Sequence, residues 1–212
     1  MKNVLIIAAH YDDAELGCGG TAKYLVENNC NVYKLTLTDN VTNYSQMNIT
    51  IDYESSKRES KEASNLLGVK EIDEFIPERC CELYYNTALM QRIEDIICNY
   101  DIDTVFTHYP SDINNDHIEA SKLSLVAARH CENIFYYYSN AYLLPNGYNP
   151  NIFFDITNYY DKKIEALSKY GKDHNRFDSL FETVLKRNEI WGHPNNVKYA
   201  EGFVAYKCIA NK

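Results

Sequence analysis

Residues 3–21 read NVLIIAAHYDDAELGCGGT, and this stretch decides the fold. Asn3 to Ala9 form an unbroken apolar run rich in β-branched residues, the pattern of a strand buried on both faces of a parallel sheet. The run ends in His10, Asp12, Asp13 and Glu15, and helical spacing follows over Leu16 to Glu27, with Ala22, Leu25 and Val26 on the inner face. A buried strand that turns through polar residues into a helix is the opening unit of an α/β layer fold.

The same alternation continues along the chain. A second strand is expected at Asn31 to Leu37, a helix at Ser56 to Leu67 stopped by Gly68, and a short strand at Glu71 to Pro77. An amphipathic helix follows at Ala88 to Tyr100 through Leu89, Ile93, Ile96 and Ile97, then a strand at Asp103 to His108, a helix at His117 to His130 and a strand at Asn133 to Tyr138. Beyond Pro145 the pattern loosens: strands are expected at Asn151 to Ile156 and Val204 to Ile209, and helices at Tyr160 to Lys169 and Phe177 to Lys186. The repeated β-α order predicts a three-layer, Rossmann-like α/β domain whose largely parallel central sheet is flanked by helices. No internal repeat or linker divides it, so residues 1–212 read as a single domain. Thr38 to Ser55 is polar and long for a connector, which marks it as a lid or specificity element.

Composition excludes several classes. With 45% hydrophobic and 24% charged residues in 212, the chain is neither low-complexity nor disordered throughout. Lys plus Arg number 21 against 30 Asp plus Glu, and a net charge of -9 repels phosphate backbones, so no nucleic-acid partner is expected. No apolar run approaches the roughly 18 to 20 residues of a transmembrane segment, and Val4 to Ala9 is too short for a signal-peptide core, so a cytoplasmic location is expected. The seven cysteines, at 18, 30, 80, 81, 98, 131 and 208, form no CxxC pair and read as reduced thiols, Cys80 and Cys81 included. The sequons beginning at Asn40, Asn43 and Asn48 read as a polar loop.

Ligands in open α/β sheets bind beyond the carboxyl ends of the strands. Two such ends carry the candidate chemistry: His10, Asp12, Asp13 and Glu15 after the first strand, and His108, Asp112, Asp116 and His117 after the strand ending THYPSDINNDH. Two imidazoles and nearby carboxylates supply the nitrogen and oxygen donors of a catalytic Zn²⁺ site, which uses three protein ligands and leaves a position for water. His10 and Asp13 can converge on one ion, with His117 from across the sheet, leaving Asp12 as a base. The competing structural roles are helix capping, by Asp12 or Asp13 for the first helix and by Asp116 for the helix at His117. A nucleotide-binding glycine turn at Gly17, Gly19 and Gly20 is a weaker reading: Ala22 stands where the third glycine of G-x-G-x-x-G belongs, and the carboxylates repel a phosphate. The glycines read instead as close helix-to-sheet packing.

These residues resemble the zinc-dependent PIG-L/LmbE-like de-N-acetylases. The family's first motif, A-H-P-D-D-E, is matched by Ala9-His10-Tyr11-Asp12-Asp13-Ala14, and its second, ending in D-H at a helix start, by Asp116-His117. Weaker similarity runs through Glu62-Ala63 and Leu67-Gly68-Val69, Phe154-Asp155-Ile156 with Lys163 and Ala166, and Tyr199 to Phe203, so it spans nearly the whole chain. The resemblance implies that His10, Asp13 and His117 bind the metal, Zn²⁺ or Fe²⁺, that Asp12 is the general base, and that the substrate is an N-acetylglucosamine-type or related N-acetylated sugar conjugate. Tyr11 and Ala14 depart from the motif without removing a ligand. Asn114 stands where many members carry a histidine; an amide can donate to an oxyanion but cannot transfer a proton.

His108, His174 and His193 are unplaced candidates, Arg58 and Arg79 could recognise substrate but read more readily as exposed, and the tyrosine clusters Tyr136 to Tyr138 and Tyr159-Tyr160 could stack on sugars or fill the core. The alternatives to a sugar deacetylase are a metallo-amidase for a non-sugar amide and a catalytically inactive sugar-binding relative. A homo-oligomer is compatible with the sequence.

Overall fold

The computed structural model describes residues 1–44, 49–170 and 180–209. In chain order its elements are β1 (Asn3–Ala8), α1 (Asp13–Glu27), β2 (Asn31–Thr36), β3 (Thr42–Tyr44), β4 (Ile49–Ile51), α2 (Tyr53–Leu67), β5 (Lys70–Glu71), α3 (Thr87–Asn99), β6 (Thr104–His108), α4 (Asn115–Ala127), β7 (Asn133–Tyr137), β8 (Ile152–Asp155), α5 (Tyr160–Leu167), α6 (Glu182–Gly192) and β9 (Ala200–Lys207). Among the described residues β5-β2-β1-β6-β7-β9-β8 form one sheet in that order, and β3 and β4 form a separate hairpin. β5, β2, β1, β6 and β7 run parallel, whereas β9 is antiparallel to both β7 and β8.

Alternation along β1 explains the layers. Val4, Ile6 and Ala8 face one core, shared with residues of α1, α2, α5 and α6; Leu5, Ile7 and Ala9 face the other, shared with α3 and α4. Both faces of the strand are therefore dry, as its unbroken apolar run requires. The expected three-layer α/β architecture is the observed one.

Several boundaries differ from the sequence reading. Helix α1 begins at Asp13, three residues before the first periodic apolar position, because Asp13 to Ala22 are all buried and leave no polar stripe to mark its start. The Thr38 to Ser55 stretch contains the β3–β4 hairpin and the first turn of α2, which Asp52 caps by accepting from the Ser55 amide at 2.9 Å. The strand expected at Glu71 to Pro77 contracts to Lys70–Glu71, with an isolated parallel bridge from Thr38 to Glu78. The last strand starts earlier, at Ala200, and the final helix runs later, to Gly192; residues 177–179 of its expected start lie outside the described residues.

The glycines pack α1 against its neighbours, as expected. A Cβ on Gly17 would lie 2.3 Å from Cδ2 of Tyr137, and one on Gly20 would lie 2.7 Å from Cβ of Ile156. Two buried ion pairs fasten the same region. Lys163 Nζ lies 2.6 Å from Glu201 Oε1 and donates to the Leu16 carbonyl at 2.8 Å, while Glu201 accepts from the amides of Gly20 and Thr21. Lys34 Nζ lies 2.9 Å from Glu15 and donates to the Tyr11 carbonyl at 2.6 Å. Gly17→Ala is expected to cost about 1–3 kcal/mol through overpacking, seen as a fall of several degrees in the thermal midpoint. An unchanged midpoint would mean that Tyr137 does not hold α1 at this distance.

Candidate metal centre

The carboxyl ends of β1 and β6 bring the site together. β1 delivers His10 onto the turn before α1, and the first turn of α1 places Asp12 and Asp13 beside it. The loop after β6 and the first turn of α4 supply Asp112, Asn114, Asp116 and His117. His10 Nδ1 lies 3.2 Å from Asp13 Oδ2 and 3.2 Å from His117 Nε2, and His117 Nε2 lies 3.3 Å from Asp13 Oδ1. Three donors around a tetrahedral zinc at about 2.0–2.1 Å sit roughly 3.3–3.4 Å apart, and the separations here, taken to Asp13 Oδ2 from His10 and to Asp13 Oδ1 from His117, are close to that value. Among the described residues His10, Asp13 and His117 are one of three groups whose donor atoms lie within 4.8 Å of one another, the others being His10, Cys80 and Asp116, and His108, Asp112 and His117.

Each imidazole is also held from behind by a carboxylate. His10 Nε2 lies 3.2 Å from Asp116 Oδ2, and His117 Nδ1 lies 2.9 Å from Asp112 Oδ2. Such partners orient a metal-binding imidazole and raise its basicity. Both carboxylates are fixed by backbone: Asp116 accepts from Cys81 N at 2.7 Å and Leu83 N at 3.3 Å, and Asp112 from Ile113 N at 2.7 Å and Asn114 N at 3.0 Å. Ser139 donates to Asp13 Oδ1 at 2.8 Å and Asn140 to Asp112 Oδ1 at 2.8 Å, both from the segment just after β7.

The capping alternatives resolve by residue. Asn114 is the cap of α4, its Oδ1 accepting from the Asp116 amide at 2.9 Å, so Asp116 is released to support His10. Asp12 occupies the cap position of α1, but its side chain makes no capping hydrogen bond; it is buried and lines the cleft with His10, Asp13, Asn114 and His117. Asn40, Thr42, Cys80, Cys81, Asn140 and Tyr142 complete most of the wall, which puts the described part of the Thr38 to Ser55 stretch at the mouth.

The other candidates separate. His108 is fully buried beneath Asp13, its Nε2 accepting from Ala9 N at 3.0 Å and lying 3.3 Å from Asp13 Oδ2. His193 is exposed on a 3-10 turn, and His174 lies outside the described residues. Arg58 is exposed on α2, and Arg79 is exposed and pairs with Glu82 at 3.5 Å; neither lines the cleft. Tyr136, Tyr137 and Tyr138 are core residues, whereas Tyr142 is at the cleft and 59% exposed. Sequence reasoning missed Ser139 and Asn140 and read Cys80 and Cys81 as bystanders. For the first pair a signal existed, since both follow a predicted strand at the active edge.

Charge at the site is shared between rings and carboxylates. Burial alone pushes the His117 imidazole down, but the Asp13 charge and the bonds to Asp112 and Asp13 overcome it and raise the group to about 9. Burial likewise lowers His10, and bonds to Asp116 and Asp13 carry it well above its usual value. Burial, with the His117 charge, drops His108 to about 4, so that ring is neutral. Burial pushes the Asp13 carboxyl up, and His117 and the other rings nonetheless hold it well below the ordinary range.

The chain belongs to the PIG-L family, the GlcNAc-PI de-N-acetylases, whose model matches residues 5–128. It is 29% identical over 176 residues, 80% of this chain and 90% of the relative, to YaiS of Escherichia coli K12, described as an uncharacterized deacetylase. Its fold is similar to that of GalB, the 4-carboxy-2-hydroxymuconate hydratase of Pseudomonas putida KT2440, with a TM-score of 0.84 at 18% identity over 100% of this chain and 99% of that one. It is also similar to the N,N'-diacetylchitobiose deacetylase of Pyrococcus horikoshii, with a TM-score of 0.77 at 23% identity over 96% of this chain and 83% of the other. Among the described residues no helix is long and apolar enough to cross a membrane.

A group raised on folding stabilises the fold below its unfolded value and loses that contribution above its folded one. For His117 the contribution is full below about 6.5 and is lost as the pH rises through about 9. The thermal midpoint of chelator-treated protein is therefore expected to fall between pH 7 and pH 10 more steeply in the wild type than in His117→Gln. Parallel profiles would reject the charge assignment.

Proposed function

We propose that the protein is a metal-dependent de-N-acetylase that hydrolyses the acetamide of an N-acetylated amino sugar or a conjugate of one. The observation that carries this reading is the cluster of His10, Asp13 and His117, in which the facing ring nitrogens lie 3.2 Å apart and each lies 3.2 to 3.3 Å from one oxygen of Asp13, each imidazole backed by a carboxylate, in a chain of a de-N-acetylase family. The donor set, two nitrogens and a carboxylate, suits Zn²⁺ or Fe²⁺. Such an ion, when bound, supplies a Lewis acid for an amide carbonyl and makes water more acidic.

The chain's own residues carry the proton and orient the amide. Asp12 adjoins Asp13 on a turn fixed at both sides and accepts a proton from the attacking water. The same carboxyl then returns that proton to the amine nitrogen as the C–N bond breaks, so one water is consumed and acetate and a free amine leave. Asn114 commits its Oδ1 to the α4 cap, which keeps its Nδ2 as a hydrogen-bond donor for the carbonyl oxygen as negative charge develops there. Because an amide cannot ionise, Asn114 contributes orientation and charge stabilisation but no proton. Tyr142, at the mouth of the cleft, offers an aromatic face and a hydroxyl to a sugar ring.

Acetate release from a panel of N-acetylated sugars, with N-acetylated non-sugar amines beside them, tests the assignment. Asp12→Asn is expected to keep its metal and lose about 10²- to 10⁴-fold in kcat. Unchanged turnover would remove Asp12 from the reaction, and turnover confined to the non-sugar amines would replace the sugar assignment. Protein purified without chelator is expected to hold about one zinc or iron per chain by elemental analysis and His117→Ala much less, since a three-residue site cannot spare a ligand. Equal metal content in the two would reject the site.

A further inference from the structure

Beside the centre just described, a second set of donors uses the opposite edge of the His10 ring. His10, Cys80 and Asp116 each offer one donor atom, and the three atoms lie within 4.8 Å of one another. The loop between β5 and α3 is built to present the thiol there. Cys80 N donates to Asp39 Oδ1 at 2.9 Å, and Cys81, with φ of 66°, donates its amide to Asp116 Oδ2 at 2.7 Å, which fixes both cysteines on the cleft wall. A left-handed conformation is costly for a side chain with a Cβ, so the surrounding bonds hold this turn in place. The two sulfurs stand 3.7 Å apart, near the roughly 3.8 Å edge expected for two thiolates at about 2.3 Å from one tetrahedral ion.

We propose that Cys80, His10 and Asp116 form a second metal site, flanked by Cys81, for soft d¹⁰ cations such as Cd²⁺, Hg²⁺ or excess Zn²⁺. A thiolate selects softer ions than the nitrogen and oxygen donors of the first site do. Binding releases the Cys80 proton and forms a metal–sulfur bond, with no change of oxidation state. The site draws on the His10 ring and on Asp116, the carboxylate that supports that ring at the first centre. Filling it takes Asp116 from the His10 ring that it supports and places a second cation on that ring, so a soft cation weakens the hold of the first centre on its own ion. The inference is independent of the reaction proposed above, although the site shares the His10 ring and the Asp116 carboxylate behind it with the first centre.

Titration of the chelator-treated full-length protein with Cd²⁺, followed by the ultraviolet thiolate-to-cadmium absorption, tests this directly. The band is expected in the wild type, lost in Cys80→Ser and retained in Asp13→Asn, which damages only the first centre. In protein preloaded with one equivalent of Zn²⁺, Cd²⁺ is expected to release zinc to a chelating dye from the wild type and at least tenfold less from Cys80→Ser. A band of equal size in Cys80→Ser, or none in the wild type, would overturn the site; equal zinc release from both proteins would overturn the coupling. Failure of the deacetylase reading would leave the cadmium band unaffected, so the two outcomes are separable.

Discussion

Everything at the catalytic edge depends on how closely α1 is seated on the sheet. The distance is set by missing atoms: no Cβ at Gly17 where the Tyr137 ring lies, and none at Gly20 where Ile156 lies. Into this contact the Lys163–Glu201 pair inserts charged groups that reach the α1 backbone at Leu16 and Gly20, the carbonyl and amide of one helical turn. A buried ion pair recovers its desolvation only when its remaining hydrogen-bonding capacity is satisfied, and here helix backbone and partner satisfy both members. The consequence is positional. The first turn of α1 carries Asp12 and Asp13, so an ångström of error in the helix would be an ångström of error in the site, where small misplacements cost orders of magnitude in rate.

The fold itself does not choose a reaction. A hydratase and a diacetylchitobiose deacetylase share this architecture with the chain over nearly its whole length, and a common scaffold leaves chemistry to the residues on its edge. What those residues impose is clear at two places. The cluster of His10, Asp13 and His117 sets two rings among three carboxylates, and Asp13, Asp112 and Asp116 raise both rings above their usual value against the effect of burial. Asn114, the cap of α4, presents to the cleft an amide, a group that donates and accepts hydrogen bonds but never ionises.

The layers of the fold were legible because β1, buried on both faces, advertises it as a continuous apolar run, while β6, equally buried, carries two threonines and a histidine and is read from its place in the β-α alternation. The triangle was legible because strand ends in such sheets are where ligands bind, and two of them carried histidine with aspartate. The start of α1 was not: that helix is buried around most of its circumference, so its start leaves no change of period to read, whereas the end of α2 at Leu67, before Gly68, was read correctly. The role of Asp116 was ambiguous for a different reason. An aspartate just before or inside a helix start reads equally as a cap and as a partner to a ring, and only the three-dimensional course of the Cys81 to Leu83 backbone, which donates to Asp116, separates the two. Cys80 and Cys81 reach the cleft on a loop with no periodicity at all.

The departure of Tyr11 from the family's motif proline shows how the sequence compensates for a lost local constraint. Proline would fix φ at that position and stiffen the turn between His10 and the aspartates. With tyrosine there, the stiffness comes from tertiary contacts: the Tyr11 carbonyl accepts from Lys34 Nζ at 2.6 Å and from the Tyr170 hydroxyl at 2.8 Å, and the Tyr11 ring packs against Tyr53. Lys34 is itself anchored by Glu15, which lies on the helix that the turn feeds. The loop that carries Asp12 is thereby tied to β2, to α1 and to the segment after α5. A constraint that one proline supplies within the backbone is here distributed over three elements, so its strength depends on the same core that seats α1.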